Sequence, residues 1–193
     1  MGLETLFIQL GYSKDEYEMI RNAYGLSGYK DVTFSEKLIN NYNLLMSIYG
    51  SKDIVLKITK EFPSLYAYSL ENIVQQINDL ICLGFNREDV IKMTISQPSI
   101  FSYSIESIND KITNLMTLGY SREDVLLILK NQPSVIGLSV GNIKQKIDDM
   151  VELGYSKMDV LKMIKSLPSI FSVSIENIKQ KMDDLIHLGY SKE

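Results

Sequence analysis

A chain of 193 residues with 45% hydrophobic and 23% charged side chains has the length and composition to bury a continuous core, which excludes a disordered polymer. Its longest apolar runs last only a few residues, so no segment is expected to span a bilayer and no membrane partner is expected. The formal net charge of −4 excludes the strongly basic field usual in nucleic-acid binders, and the lone Cys82 excludes an internal disulfide framework.

The N-terminus begins Met1-Gly-Leu-Glu-Thr-Leu6, with no basic n-region and no Arg-rich amphipathic stretch. It therefore does not read as a secretory or transit peptide. Leu6 stands where a myristoylation signal needs Ser or Thr. An intracellular location is expected, with the compartment left open. Leu3, Leu6, Phe7 and Leu10 fall at helical spacing and end at Gly11, the pattern of a second helix closing a repeat.

Residues 12–50 form a degenerate N-terminal repeat or cap without proline. Ser13-Lys-Asp-Glu16 has the form of a capping box for its first helix. An irregular Gly25–Thr33 segment is expected to replace a proline turn. Leu38, Ile39, Tyr42, Leu45 and Met46 then stripe a second helix.

From residue 51 the chain repeats itself. All four prolines, Pro63, Pro98, Pro133 and Pro168, stand 35 residues apart. Each is followed by Ser and an aliphatic residue, and a second serine (Ser69, Ser104, Ser139, Ser174) comes six residues after it. Leu-Gly closes each repeat at Gly84, Gly119, Gly154 and Gly189.

The local chemistry dictates a helix pair. Asn86, Ser121 and Ser156 can accept from the free N–H groups of a first helix, with Asp89, Asp124 and Asp159 three residues on. Val125, Leu126, Ile128 and Leu129 make one apolar face of such a helix. Proline stops it, because it has no N–H to donate and pushes the residue before it out of helical geometry. The Pro-Ser-aliphatic stretch reads as a turn of 3₁₀-helix, and the second serine caps a second helix. Val140, Ile143, Ile147, Met150, Val151 and Leu153 recur on one side of that helix, as do Ile175, Ile178, Met182, Leu185, Ile186 and Leu188.

Four full repeats result over 51–84, 85–119, 120–154 and 155–189, and Ser191-Lys-Glu193 reads as the start of a further one. Neither helix of a pair can bury its stripe alone, so neighbours must stack. The fold class expected is an all-α solenoid of ~35-residue proline-interrupted helix pairs, a superhelix whose hand the sequence leaves open.

These residues resemble the mitochondrial transcription termination factor (mTERF) family. Its repeat carries a proline after the first helix and aliphatic residues about three, ten and seventeen positions later. Here those are Phe101, Ile108 and Leu115 after Pro98; Ile136, Ile143 and Met150 after Pro133; and Phe171, Ile178 and Leu185 after Pro168. In the first full repeat Ile73 and Leu80 agree while Tyr66 departs. The resemblance implies a binding array whose partner is double-stranded DNA or RNA, contacted mainly through basic side chains on phosphates.

The candidate contacts are lysines. Lys57, Lys92 and Lys162 stand six residues before a proline, and Lys60, Lys130 and Lys165 three before, away from the apolar face. Stacking would align all six along one side, where phosphate contact is one use and a solvated, dipole-compatible surface the other. On the second helices Lys144 and Lys179, with Lys111, Lys146 and Lys181, flank the stripe, and local pairing with Asp148, Asp149, Asp183 and Asp184 competes with ligand binding. Charge shifts along the chain, from −2 over residues 1–50 to +1 over 155–189.

Other chemistry is sparse. His187, the sole histidine, reads as a helix-end surface residue, and Cys82 as a buried thiol. Tyr12, Tyr120, Tyr155 and Tyr190 after the glycines read as packing residues; Tyr66, Tyr68 and Tyr103 in the proline turns as candidates for exposure. No phosphate-binding glycine loop, nucleophile elbow or metal spacing occurs, so no catalysis, cofactor or small-molecule substrate is expected. The remaining alternative is a protein-interaction solenoid that binds no nucleic acid, motivated by the acidic balance.

Overall fold

Each break that proline and glycine chemistry demands is present. In a computed structural model of the protein, residues 2–24 and 31–190 are described, and among them there is no β-strand. The helices are α1 (Leu3–Leu10), α2 (Lys14–Tyr24), α3 (Asp31–Tyr49), α4 (Lys52–Glu61), α5 (Leu70–Cys82) and α6 (Arg87–Ser96). They continue as α7 (Ile105–Thr117), α8 (Arg122–Asn131), α9 (Val140–Glu152), α10 (Lys157–Ser166) and α11 (Ile175–His187). Between the two helices of each proline-bearing pair lies a turn of 3₁₀-helix, at Pro63–Ala67, Pro98–Ser102, Pro133–Gly137 and Pro168–Ser172. The fold is all-α, of the helical-repeat solenoid class.

The caps are those the sequence dictates. Ser13 and Glu16 form a reciprocal box, the Ser13 N–H donating to the Glu16 carboxylate at 2.8 Å and the Glu16 N–H to Ser13 Oγ at 3.2 Å. Asn86, Ser121 and Ser156 accept from the N–H groups of Asp89, Asp124 and Asp159. Ser69, Ser139 and Ser174 do the same for the second helices. At the other end, Gly154 at φ 99° occupies the left-handed region that a Cβ disfavours. Its N–H bonds the Val151 carbonyl, and the next N–H, of Tyr155, reaches back to Met150. That paired closure is a Schellman motif, and it steers the following residue towards the core. The same step buries Tyr12, Phe85 and Tyr120 and half-buries Tyr155, whereas Tyr190 is exposed.

Two compact units make up the chain, residues 1–105 and 106–193. In the first, α4 packs against α6, α3 against α5, and α1 against α2 and α3. In the second, α8 packs against α10, and α9 against α10 and α11. First helices thus stack on first helices and second on second, burying Val55, Ile58, Ile73, Leu80, Val90 and Ile100 in one unit. Ile108, Ile112, Leu115, Val125, Ile128, Ile143, Ile147 and Ile164 are the equivalent core of the other.

The described structure differs from the sequence reading in several places. Helix α3 already begins at Asp31, so the irregular stretch expected over Gly25–Thr33 is helical in its last three residues; residues 25–30 lie outside the described residues. So does Ser191-Lys-Glu193, where a further repeat was expected to start. Cys82 is exposed, because it sits on the solvent side of the last turn of α5. Tyr66 is buried, its ring edge-on to Phe7 and its hydroxyl 2.7 Å from that of Tyr12. Tyr68 and Tyr103 are half-buried.

Candidate nucleic-acid interface

The packing of first helix on first helix decides the role of two lysines. Lys60, at the end of α4, lies 2.5 Å from Glu16 and 5.9 Å above the Tyr12 ring. Lys165, at the end of α10, forms the same kind of ion pair with Asp124. In both cases the acid is the third residue of the preceding first helix, already fixed by its capping serine. The lysine beside Glu16 holds its carboxyl below the ordinary range, helped by the Ser13 N–H. Lys165, more than Ser121, does the same for Asp124. These two candidates are clamps between neighbouring repeats.

The other first-helix lysines are held less firmly. Lys57 meets Glu61 and Lys92 meets Glu88, each at 4.0 Å and on exposed surface. Lys162 meets Asp159 at 3.4 Å, and the Asp159 carboxyl is lowered first by the Ser156 hydroxyl and then by Lys162. Exposed helical pairs of this kind contribute little and yield readily to a competing anion. Lys130 is half-buried and is not free.

Second-helix lysines divide sharply. Lys111 is buried, 9% exposed, and its ammonium donates to the Leu138 carbonyl in the next proline turn. Burial lowers its pKa. Lys146 donates likewise to the Val173 carbonyl. Gln76 plays the same part towards Tyr103 at 2.9 Å, and Asn41 towards Tyr66 and Tyr68 at 3.1 and 3.0 Å. One side-chain donor on each of α3, α5, α7 and α9 thus ties its repeat to the turn of the next. The local pairing with Asp148 or Asp149 expected for Lys146 is not what forms. Glutamines take the aspartates instead, Gln75 with Asp79, Gln145 with Asp149 and Gln180 with Asp184, at 2.7, 2.7 and 2.9 Å. By contrast, Lys144 and Lys179 are exposed and make no ion pair among the described residues.

Sequence reading missed the stapling donors, because Asn, Gln and Lys share no residue class; only their equal spacing from the turn identifies them. It also missed a basic column. Lys14, Lys52, Arg87, Arg122 and Lys157 each occupy the first position of a first helix. A cation there opposes the helix dipole, so helix stability does not account for its recurrence. The 35-residue step already used for the prolines would have found Lys52, Arg87, Arg122 and Lys157, whereas Lys14 stands 38 residues before Lys52. Lys52 lies over Gly11, where an added Cβ would meet its side chain at 2.6 Å.

Among the described residues no group of three or more His, Cys, Asp or Glu side chains could hold a metal ion. His187 is exposed, with Nδ1 2.7 Å from the Asp183 carbonyl. Among the described residues no helix is long and apolar enough to cross a membrane.

Proline-interrupted helix pairs, stacked in register and tied turn to helix, define a helical-repeat scaffold. The mTERF family model matches residues 15–188, and the chain belongs to the mTERF family. Comparison with curated protein sequences finds no match.

Proposed function

We propose that this chain binds the phosphate backbone of duplex DNA or RNA, with Lys144 and Lys179 as primary contacts and Lys57, Lys92 and Lys162 as secondary ones. The observation that carries the reading is the state of Lys144 and Lys179. They occupy the same position on consecutive second helices, α9 and α11, exposed and without an acidic partner among the described residues. Cations so placed gain by neutralising phosphates and releasing counterions. Family membership supports a nucleic-acid ligand. Gene-expression control is the biological role that such binding would serve.

The test is affinity for duplex DNA and duplex RNA across salt concentration. The expected result is binding at low salt whose logarithm falls linearly with log[salt]. Lys144→Gln and Lys179→Gln should each make the slope shallower by about 0.9 on B-DNA. Lys60→Gln and Lys165→Gln should leave it unchanged. Absence of binding to either duplex at low salt would sink the proposal. A protein-binding scaffold is the second reading, favoured by the net charge of −4; partners captured equally well after nuclease treatment would support it.

A further inference from the structure

Residues 1–105 hold a surface whose chemistry is unsuited to phosphate. On the second helices, the position of Lys144 and Lys179 is taken in α3 and α5 by Ile39 and Val74, which are 37% and 41% exposed. Helix α5 carries Glu71 and Asp79 and no cation. An acidic, partly apolar face repels an anion, so the ligand it suits is of another kind.

Between α3 and the first turn of α5 lies a groove of about 280 Å³, with Glu36 and Asn40 on one wall and Glu71 on the other. Asn41 also lines it and is fully buried. The Asn41 amide donates to the Tyr66 and Tyr68 carbonyls through its two N–H groups. Its Oδ1 is buried and has no hydrogen-bond partner among the described residues. A buried acceptor left unpaired is unfavourable, and beside two carboxylates it points to a donor that arrives with a ligand. Glu36 and Glu71 are exposed and make no ion pair among the described residues. Lys37, on the same wall, is held by the Ala67 carbonyl at 2.6 Å.

These groups specify the ligand. Two carboxylates call for a cation, and the Asn41 carbonyl calls for an N–H donor in the same place. A guanidinium meets both demands, because it is always charged and presents five N–H donors in one plane. An ammonium is a compact point charge that holds its water more tightly. The space is smaller than the pockets that enclose whole drug-sized molecules, and suits a single long side chain. The Tyr68–Asn72 stretch borders a second groove of about 240 Å³, lined by Tyr68, Phe101 and the amides of Asn72, Gln75 and Gln76. Uncharged amides suit the backbone of an extended chain, and the exposed Ile39 and Val74 suit its apolar side chains.

We infer that α3 and the start of α5 form a docking groove for an extended segment of a partner protein. One arginine of that segment sits between Glu36 and Glu71 and donates to Asn41 Oδ1. This inference takes the protein-partner reading for this face alone, and it holds whether or not Lys144 and Lys179 bind phosphate.

The test pans a phage library of randomised heptapeptides against the full chain, then titrates selected peptides into isotope-labelled protein followed by NMR. The expected result is a set of peptides that share an arginine and shift the Asn41 side-chain amide together with residues 69–76. Citrulline in place of that arginine keeps the shape without the charge, and should weaken binding about fivefold. Glu36→Gln and Glu71→Gln should each do the same. Selection without a preference for arginine would overturn the inference. So would peptides that bind the Glu71→Gln variant as tightly as the parent, an outcome that leaves a protein-binding scaffold standing but moves its interface elsewhere. Saturable shifts of the Asn41 amide with duplex DNA or RNA would give the groove to nucleic acid instead. N-acetylarginine amide binding as tightly as the selected peptides would replace the partner segment by a small cation.

Discussion

Residues 1–105 and 106–193 are built from one repeat but have different interiors. In the first, buried hydroxyls pair across repeats: Tyr12 bonds Tyr66 and Thr59, and Tyr49 donates to Thr94 at 2.9 Å. In the second, the position of Thr59 and Thr94 is taken by Leu129 and Ile164. Tyr120 keeps its phenol there, buried, with no hydrogen-bond partner among the described residues. Burial pushes the phenols of Tyr12, Tyr66 and Tyr120 up, and that of Tyr49 up to about 12, so all four stay neutral at physiological pH. The lesson is that helix spacing and shape fix the repeat. Its interior hydroxyls must balance pair by pair, and in the second half one does not.

Truncating the stripe that both halves share should have the largest effect and should not distinguish them. Ile73→Ala and Ile143→Ala are each expected to lower unfolding free energy by about 3 kcal/mol in denaturant titrations. A large disparity would show that the halves do not share one packing rule. The phenols should separate the halves next. Tyr12→Phe is expected to cost about 1 kcal/mol, since it removes the shared partner of Thr59 and Tyr66. Tyr120→Phe should be neutral or stabilising by up to about 1 kcal/mol, because it removes an unpaired buried hydroxyl. Equal losses from the two variants would erase the contrast.

The smallest effect belongs to the inter-repeat clamps, present in both halves. Lys60→Met and Lys165→Met should each cost less than about 1 kcal/mol after solvent screening. The folded-state pKa values of Glu16 and Asp124 lie below their unfolded values. Their contribution is therefore complete above the ordinary carboxylate range and disappears as pH falls through the lowered folded values. Urea titrations of parent and variants should converge in acid. A difference that grew as pH fell would contradict the clamp.

The candidate site was less legible than the fold, and the lysines show why. Lys60 and Lys165 look like Lys57 and Lys162 in the sequence, since all four sit near the end of a first helix. Which of them faces an acid depends on how the preceding helix is laid alongside, and Glu16 and Asp124 lie more than 40 residues upstream of their partners. Lys146 and Lys144 are two residues apart, yet one reaches a turn carbonyl and the other points to solvent. Cys82 and Tyr66 were misread for a related reason. The wheel places a residue on a side of its helix, but exposure depends on what covers that side.

By itself the sequence determined everything governed by short-range chemistry. Proline and glycine set the helix ends, serine and asparagine the caps, and the 3.6-residue period the stripes, because these act through the backbone within about one turn. The tertiary structure alone decided which cations serve as clamps, which as staples, and which remain exposed. It also decided that the same stripe is core on α9 and surface on α11, since burial belongs to a pair of elements and never to one helix.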